Sequence, residues 1–237
     1  MRYNPATEYD SLVKLTDDLA ETNVNTFPLT KKARAFNVAL DRAYTIFAQN
    51  VDTKGYDDKN FTTLPQGTYD ITAGERNISV DTDDEDAEIL KIYFVMAKNA
   101  EGNWYRLEKT DIRNRDSWEL AEGDETGEIS QYDWVGKSLV FDVTPEATIA
   151  GGIKVFYMRN SSYFTESDTD KEPGLPTIFQ PYLAYYTAWQ YSMSKGLGKK
   201  NDLAQMVVNY EKDIAEFASS QSIETNKRLT PYTVNAE

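Results

Sequence analysis

The chain has 237 residues, 40% hydrophobic and 27% charged, enough for one large globular domain or two small ones. It has no cysteine and no histidine, which excludes disulfides, thiolate nucleophiles, Ser-His-Asp and Cys-His constellations, and metal sites built on thiolate or imidazole. Its formal net charge of −14 repels nucleic acid at long range, so no direct grip on DNA is expected.

An enzyme with this composition would have to work with carboxylates, Lys, Tyr or an acquired metal. These exclusions argue against an enzyme. No apolar run approaches the roughly 20 residues of a membrane helix, so no membrane association is expected. The opening Met1–Lys14 segment lacks the apolar stretch of a secretory signal.

In chain order, Asn4-Pro5 is expected to open a first helix, because Pro is tolerated in a first turn. Tyr9, Leu12, Val13, Thr16 and Ala20 share one face of it, with Leu19 at the edge. A loop through Asn23, Asn25 and Pro28 leads to Thr30, the expected N-cap of a second helix reaching about Asn50. That helix presents Ala33, Phe36, Leu40, Ala43 and Phe47. Two narrow stripes joined by a short loop predict an antiparallel helical pair with one side of each helix left over.

From Phe61 the hydrophobic period shortens to two. Strands are expected at 69–71, 78–80, 89–97, 104–107, 139–143 and 153–158. In the strongest, Leu90, Ile92, Phe94 and Met96 should point one way and Ile89, Tyr93 and Val95 the other. Asn99 to Asn103, with Gly102, reads as a hairpin turn. Residues 111–127 are polar and irregular apart from Trp118 and Leu120. No helical pattern alternates with these strands, which predicts a small antiparallel sandwich or barrel and argues against a doubly wound sheet.

Residues 160–176 read as a linker, followed by a third helix that starts near Thr177 to Phe179, with Pro181 in its first turn. Phe179, Tyr182, Tyr186, Trp189 and Met193 form one stripe of it. Tyr191 sits almost opposite, beside Ala184 and Ala188, where small side chains let another backbone approach. Tyr185, Tyr191, Ala184 and Ala188 are the candidate subunit-interface residues. The alternative for Tyr191 is that it lies flat on its own domain.

After the Gly196/Gly198 break, Asn201 reads as the cap of a fourth helix whose inner face is Leu203, Met206, Val207, Tyr210, Ile214 and Phe217. Glu211, Lys212 and Glu216 are expected in solvent. After Ala218 no period survives; Lys227, Arg228, Pro231 and Tyr232 are the handles of a polar tail. Such a tail is usually disordered; the functional alternative is an arm that orders on a neighbouring subunit.

The fold class is thus α+β: an antiparallel helical bundle formed by N- and C-terminal helix pairs (1–57 and 177–218), an inserted antiparallel β-sandwich or barrel-like domain (58–160), a linker (161–176) and an extended C-terminal arm (219–237). Three motifs bear on chemistry. The run Asp81 to Asp86 resembles the start of a calcium loop, but Asp86 stands where Gly is needed and Ile92 where the bidentate Glu belongs, so an acidic turn is expected and no metal. Gly151-Gly152 lacks the following Lys-Ser/Thr of a phosphate loop and reads as a turn. Trp104, Trp118, Trp134 and Tyr132 would suit sugar stacking, but a sandwich core that uses aromatics for volume is the expected reading.

Two segments carry a family likeness. One is Ala33 to Tyr44, ARAFNVALDRAY. The other is Leu175 to Tyr186, LPTIFQPYLAYY, continued after the glycine break by Ala204 to Phe217. Their layout, with the strand Ile153 to Met158 ahead of the linker, resembles the head-to-tail adaptor (connector) proteins of tailed bacteriophages. The helical matches cover under half of the chain, and the β block matches only in kind.

The resemblance implies a structural virion protein without catalysis or cofactor, assembled in the host cytoplasm and placed at the head–tail junction. It implies a ring, typically a dodecamer, that docks on the portal protein and joins it to a tail, stopper or nozzle protein while DNA passes through the lumen. Arg228 and Tyr232 would then anchor to portal or to the next subunit. The alternatives are a carbohydrate- or receptor-binding β module of a phage tail or fibre protein, and, less favoured, a carboxylate-based hydrolase.

Overall fold

The structure, a computed structural model, describes residues 1–5, 8–50, 57–111 and 126–223. The protein is mixed α+β, with four α-helices among the described residues and several sheets, chiefly antiparallel. The chain divides into two compact units, one made of Met1–Gly55 with Tyr163–Glu237, the other of Tyr56–Ser162.

In the first unit, α1 spans Leu12–Ala20 and α2 spans Leu29–Asn50. The start of α1 departs from expectation. Ser11, in extended backbone, is its N-cap, with Oγ accepting from the Lys14 amide at 3.1 Å. Asn4-Pro5 does not open the helix: Arg2 donates its amide to the Asp10 carbonyl and its carbonyl accepts from the Leu12 amide, and the helix starts only after Ser11. Tyr9 lies in a 3₁₀ turn before the helix, 88% exposed and off the packed face. Leu12, Val13, Thr16 and Ala20 are buried as expected.

Helix α2 begins one residue before Thr30, with the Pro28 carbonyl accepting from the Lys31 and Lys32 amides. Thr30 is therefore inside the helix, and its hydroxyl donates to Glu166 instead. The stripe Ala33, Phe36, Leu40, Ala43, Phe47 is buried, and Ala39, Tyr44 and Ile46 are buried beside it. The apolar face is wider than the heptad-like spacing indicated, since two further helices lie on α2.

A 3₁₀ turn at Thr177–Phe179 leads into α3, Pro181–Lys195, which Gly196 ends in the left-handed conformation. Helix α4 spans Lys200–Ile223. Asn201 lies in its first turn rather than at the cap, and the helix continues past Ala218, so the arm boundary at 219 falls inside it. Helix α3 touches α1, α2 and α4, and α2 also touches α4.

The segment drawn as a linker is packed into the first unit. Phe164 is buried and stacks on Tyr3 at 5.1 Å. The Asn37 amide group bonds both the Phe164 N–H and C=O, and the Tyr44 hydroxyl donates to the Gly174 carbonyl. Its Ser/Thr/Asp/Glu composition concealed two buried anchors, Phe164 and Leu175.

In the second unit the strands are β1 Gln66–Ile71, β2 Asn77–Ser79, β3 Ile89–Lys98, β4 Trp104–Arg106, β5 Glu108–Lys109, β6 Thr126–Gly127, β7 Gln131–Val135, β8 Ser138–Phe141, β9 Thr144–Pro145 and β10 Ile149–Arg159. One sheet has the order β1-β10-β3-β4 and the second β2-β8-β7-β5; β6 and β9 form a separate pair. The β5–β7 and β6–β9 pairs are parallel, against the expectation of a wholly antiparallel block. One apolar cluster takes Val95, Ala97, Ile153, Val155 and Tyr157 from the first sheet and Tyr132, Leu139 and Phe141 from the second. Burying side chains of this size contributes about 1.5–3 kcal/mol each.

Two sequence expectations fail here for one reason, the bulge. In β3 the buried residues are Ile89, Ile92, Val95 and Ala97, not one strict alternation. The pairing with β10 slips between Ile92 and Phe94 and again between Ile89 and Lys91, so Ile92 and Phe94 end on opposite faces. Gly151-Gly152 is not a turn but part of β10, opposite another slip in β1. Gly151 adopts φ +57, and its amide donates to the Asp70 carboxylate.

Candidate docking surfaces

The proposed interface residues of α3 separate into two groups. Ala184 and Ala188 are fully buried within the chain, Ala188 against Ala20 of α1 and Leu203 of α4. The small side chains do admit another backbone, but it is that of the same chain, so these two are corrected from interface to core. Tyr185 and Tyr191 are half-buried beside the same cluster. Tyr185 tilts against Tyr210 at 5.6 Å, and Tyr191 stacks on Phe27 at 4.7 Å. The helix thus buries its small side at Ala184, Thr187, Ala188 and Ser192 and lays Tyr186 and Trp189 on its flanks. Met193, assigned to the aromatic stripe, is 55% exposed. Arg228 and Tyr232 lie outside the described residues, as does Trp118.

Glu211 was expected in solvent, yet it is mostly covered. Both its oxygens accept from Arg42 of α2, at 3.0 and 2.9 Å, and Oε1 also accepts from the Tyr182 hydroxyl at 3.2 Å. The Arg42 hydrogen bonds hold its carboxyl below the usual range despite desolvation. Met206 of the expected inner face of α4 stays exposed.

A cleft of about 330 Å³ opens where the start of α2 faces the end of α3. Phe27 and Tyr191 line it together with Ala35 and Val38, and Lys31, Arg34 and Lys195 stand around them, all three exposed. Among the described residues no carboxylate lines it. A second hollow, lined by Asn37, Asp41, Tyr163 and Phe164, adjoins it through the shared Arg34 and Val38. Neither hollow was legible in the sequence, because each joins residues more than a hundred positions apart.

In the β unit, sequence reasoning missed the largest buried charge. Arg159, at the end of β10, is 1% exposed. Its guanidinium makes a two-pronged pair with Asp57 at 3.0 and 2.6 Å, bonds Asp83 at 2.5 Å and the Thr63 carbonyl at 2.6 Å, and lies 3.9 Å from the Phe61 ring. Glu85 accepts from the Thr63 hydroxyl and amide and from Thr62, which pulls its carboxyl down to about 2. Asp83 also accepts from the Glu85 and Ala87 amides. The acidic run 81–86 is therefore a structural turn tied to Arg159, with Asp86 in left-handed backbone where a calcium loop needs Gly. The available signal was a lone Arg closing an apolar strand.

The outward face of the first sheet carries Phe94 stacked on Phe156 at 4.3 Å, with Arg106 over Phe94. Beside them Trp104 is partly exposed, with Lys154 and Lys98 over its ring at 4.9 and 5.4 Å. Tyr132, one of the sugar-stacking candidates, is core; Trp134 packs on that core with its Nε1 buried and without a hydrogen-bond partner among the described residues.

Among the described residues no group of three or more Asp or Glu is arranged to hold a metal ion, and no helix is long and apolar enough to cross a membrane. No family model matches the chain. No characterised protein matches it in sequence either.

Proposed function

We propose that this chain is a ring-forming structural protein of the phage head–tail junction, non-enzymatic and free of cofactors, docking on the portal protein and passing DNA through its lumen to a tail, stopper or nozzle protein. In this reading the four helices are an antiparallel bundle, the β unit is an inserted sandwich, and the ring is typically dodecameric. The observation that carries it is the composition of the first unit: residues from both chain ends make one compact body around α3, with the β unit spliced between them in sequence. That is the layout implied by the resemblance of Ala33 to Tyr44 and Leu175 to Tyr186.

Ring closure needs two different surfaces on each copy, one meeting the other around the circle. With Ala184 and Ala188 in the core, Tyr185 and Tyr191 remain the interface candidates on α3. Arg228 and Tyr232 remain the anchoring candidates toward portal or the next copy. The acidic balance suits a lumen that lets a polyanion slide.

The test is assembly. Purified full-length protein, alone and mixed with portal rings from the same phage, is imaged by negative-stain electron microscopy and weighed by mass photometry. Annular particles, or portal rings capped by extra density, are expected. A monodisperse monomer that leaves portal rings uncapped overturns the reading.

One observation favours a second reading, a carbohydrate- or receptor-binding β module: the half-exposed aromatic face of Trp104, Phe94 and Phe156. Tryptophan quenching by host-surface oligosaccharides, lost in Trp104→Ala, would support it over the ring.

A further inference from the structure

We infer that the cleft between α2 and α3 is one half of the seam between neighbouring copies, and that its occupant is the acidic flank of α4 from a second copy of this chain. The inference rests on the ring reading above and names the surfaces that close it.

The first observation is one of pairing. Eleven Lys and Arg residues of the helical unit lie in described segments. Arg2, Lys14, Lys32, Arg42, Lys199 and Lys212 each meet a carboxylate, and Lys171 donates to the Tyr163 carbonyl. Lys31, Arg34, Lys195 and Lys200 have no such partner among the described residues. Three of those four stand around one cleft that no carboxylate of the described residues lines. Lys31 and Arg34 are three apart on α2 and so share a face. Lys195 extends from the last turn of α3. Their floor is apolar, the Phe27–Tyr191 stack with the exposed Val38 beside it.

The second observation is on α4. Asp202, Met206 and Asp213 recur at four and seven residues, which puts them on one side of the helix. All three are exposed, and neither aspartate has a basic partner among the described residues. Two carboxylates flanking an exposed thioether complement three cations flanking an exposed aromatic and valine.

The third consideration is global. Copies carrying a net charge of −14 repel one another, so they associate only where local charge is complementary. The same net charge disfavours a DNA backbone as the occupant. A helix flank laid in a groove lined by apolar groups is a common mode of protein recognition.

The experiment measures assembly of the full chain by mass photometry across a dilution series, at about 0.15 M salt. The triple variant K31E/R34E/K195E is compared with K14E/K200E/K212E, which changes net charge equally at lysines that do not line the cleft. Circular dichroism melts establish that each is folded. The cleft variant is expected to raise the half-assembly concentration about tenfold or more beyond the control. Adding D202K/D213K to it is expected to restore assembly.

Equal assembly of the cleft and control variants overturns the inference and leaves the ring reading standing. So does failure of the combined exchange to restore assembly, because then α4 is not the occupant. So does a cleft variant that assembles normally but loses binding to a short DNA duplex, because then the occupant is a phosphate backbone. If the unmodified chain does not assemble at all, the ring reading falls and takes the seam with it.

Discussion

Arg159 and Asp83 meet as an ion pair in which neither side chain is exposed. Such a pair gains little over a well-packed apolar replacement, because both charges lose their hydration, but breaking it from one side strands a buried charge. Arg159→Ala should therefore destabilise the protein by about 3–5 kcal/mol. Arg159→Met with Asp83→Leu should cost less than Arg159→Ala alone, although Asp57 still loses its partner. Urea unfolding followed by tryptophan fluorescence checks both. A single variant within about 0.5 kcal/mol of the parent would place the charge cluster outside the cooperative fold.

Glu85 makes the same turn sensitive to acid. Its carboxyl is held down to about 2, first by the Thr63 hydroxyl and then by the Thr63 and Thr62 amides, against an ordinary 4.5. The unfolded chain therefore takes up this proton before the folded one does. The stability it confers is complete above pH 4.5 and is lost as pH falls toward 2. Urea midpoints measured from pH 5 down to pH 2 should fall less steeply for Glu85→Gln than for the parent. Parallel curves for the two proteins would contradict this assignment.

Gly152 lies in β10 where a Cβ would come 2.7 Å from Ile71 Cδ1 and 2.9 Å from the Ile149 carbonyl oxygen. The side chain of Ile71 can turn aside, but the strand's own carbonyl cannot. Gly152→Ala should cost about 1–3 kcal/mol by overpacking. Adding Ile71→Val, which removes the Cδ1 contact, should recover part of that and not all. Full recovery in thermal melts would show that the carbonyl contact relaxes freely.

These positions mark where the sequence could and could not be read. The stripe of α2 was legible because Ala33, Phe36, Leu40, Ala43 and Phe47 keep the helical period through an uninterrupted 22-residue helix. The strand 89–98 was legible as a strand and 149–159 only over its second half, 153–158; the faces of the first were not, because bulges shift the period without leaving a compositional mark. Strand β7 escaped notice, since Gln-Tyr-Asp-Trp-Val mixes polar and aromatic residues; Asp133 is nonetheless buried, with its carboxylate accepting from the Trp134 amide.

The start of α1 was misread because the pairing of Arg2 with Asp10 and Leu12, and not local propensity, sets it. Among the site residues, Tyr191 was singled out for its position opposite the aromatic stripe. What decides its role is Phe27, 164 positions earlier, and no periodicity reports that partner. Lys31 and Arg34 attracted no notice on a helix read for its apolar side. Only the folded chain reveals that most basic neighbours are paired and that these, among the described residues, are not.

Tyr182 joins three helices in one polar contact, lying buried in α3 and donating to Glu211 of α4, which in turn holds Arg42 of α2. Burial comes first in raising its hydroxyl well above the usual 10, and the Glu211 charge adds to it. Burial likewise pushes Tyr3, Tyr93 and Tyr105 up to about 12. For each, the unfolded chain gives up its proton first, so the stability they confer is complete below pH 10 and is lost as pH rises through the folded values. Tyr182→Phe should lose about 1.5–3 kcal/mol at pH 7, the net worth of a hydrogen bond to a charged group, here the Glu211 carboxylate. Its stability should then decline less than the parent's between pH 9 and pH 11, because one of the groups driving alkaline unfolding is gone. Urea unfolding at the two pH values, beside an ultraviolet titration of tyrosinate, reads both effects. If the variant loses as much stability as the parent on going to high pH, Tyr182 is not held in its neutral form by the fold.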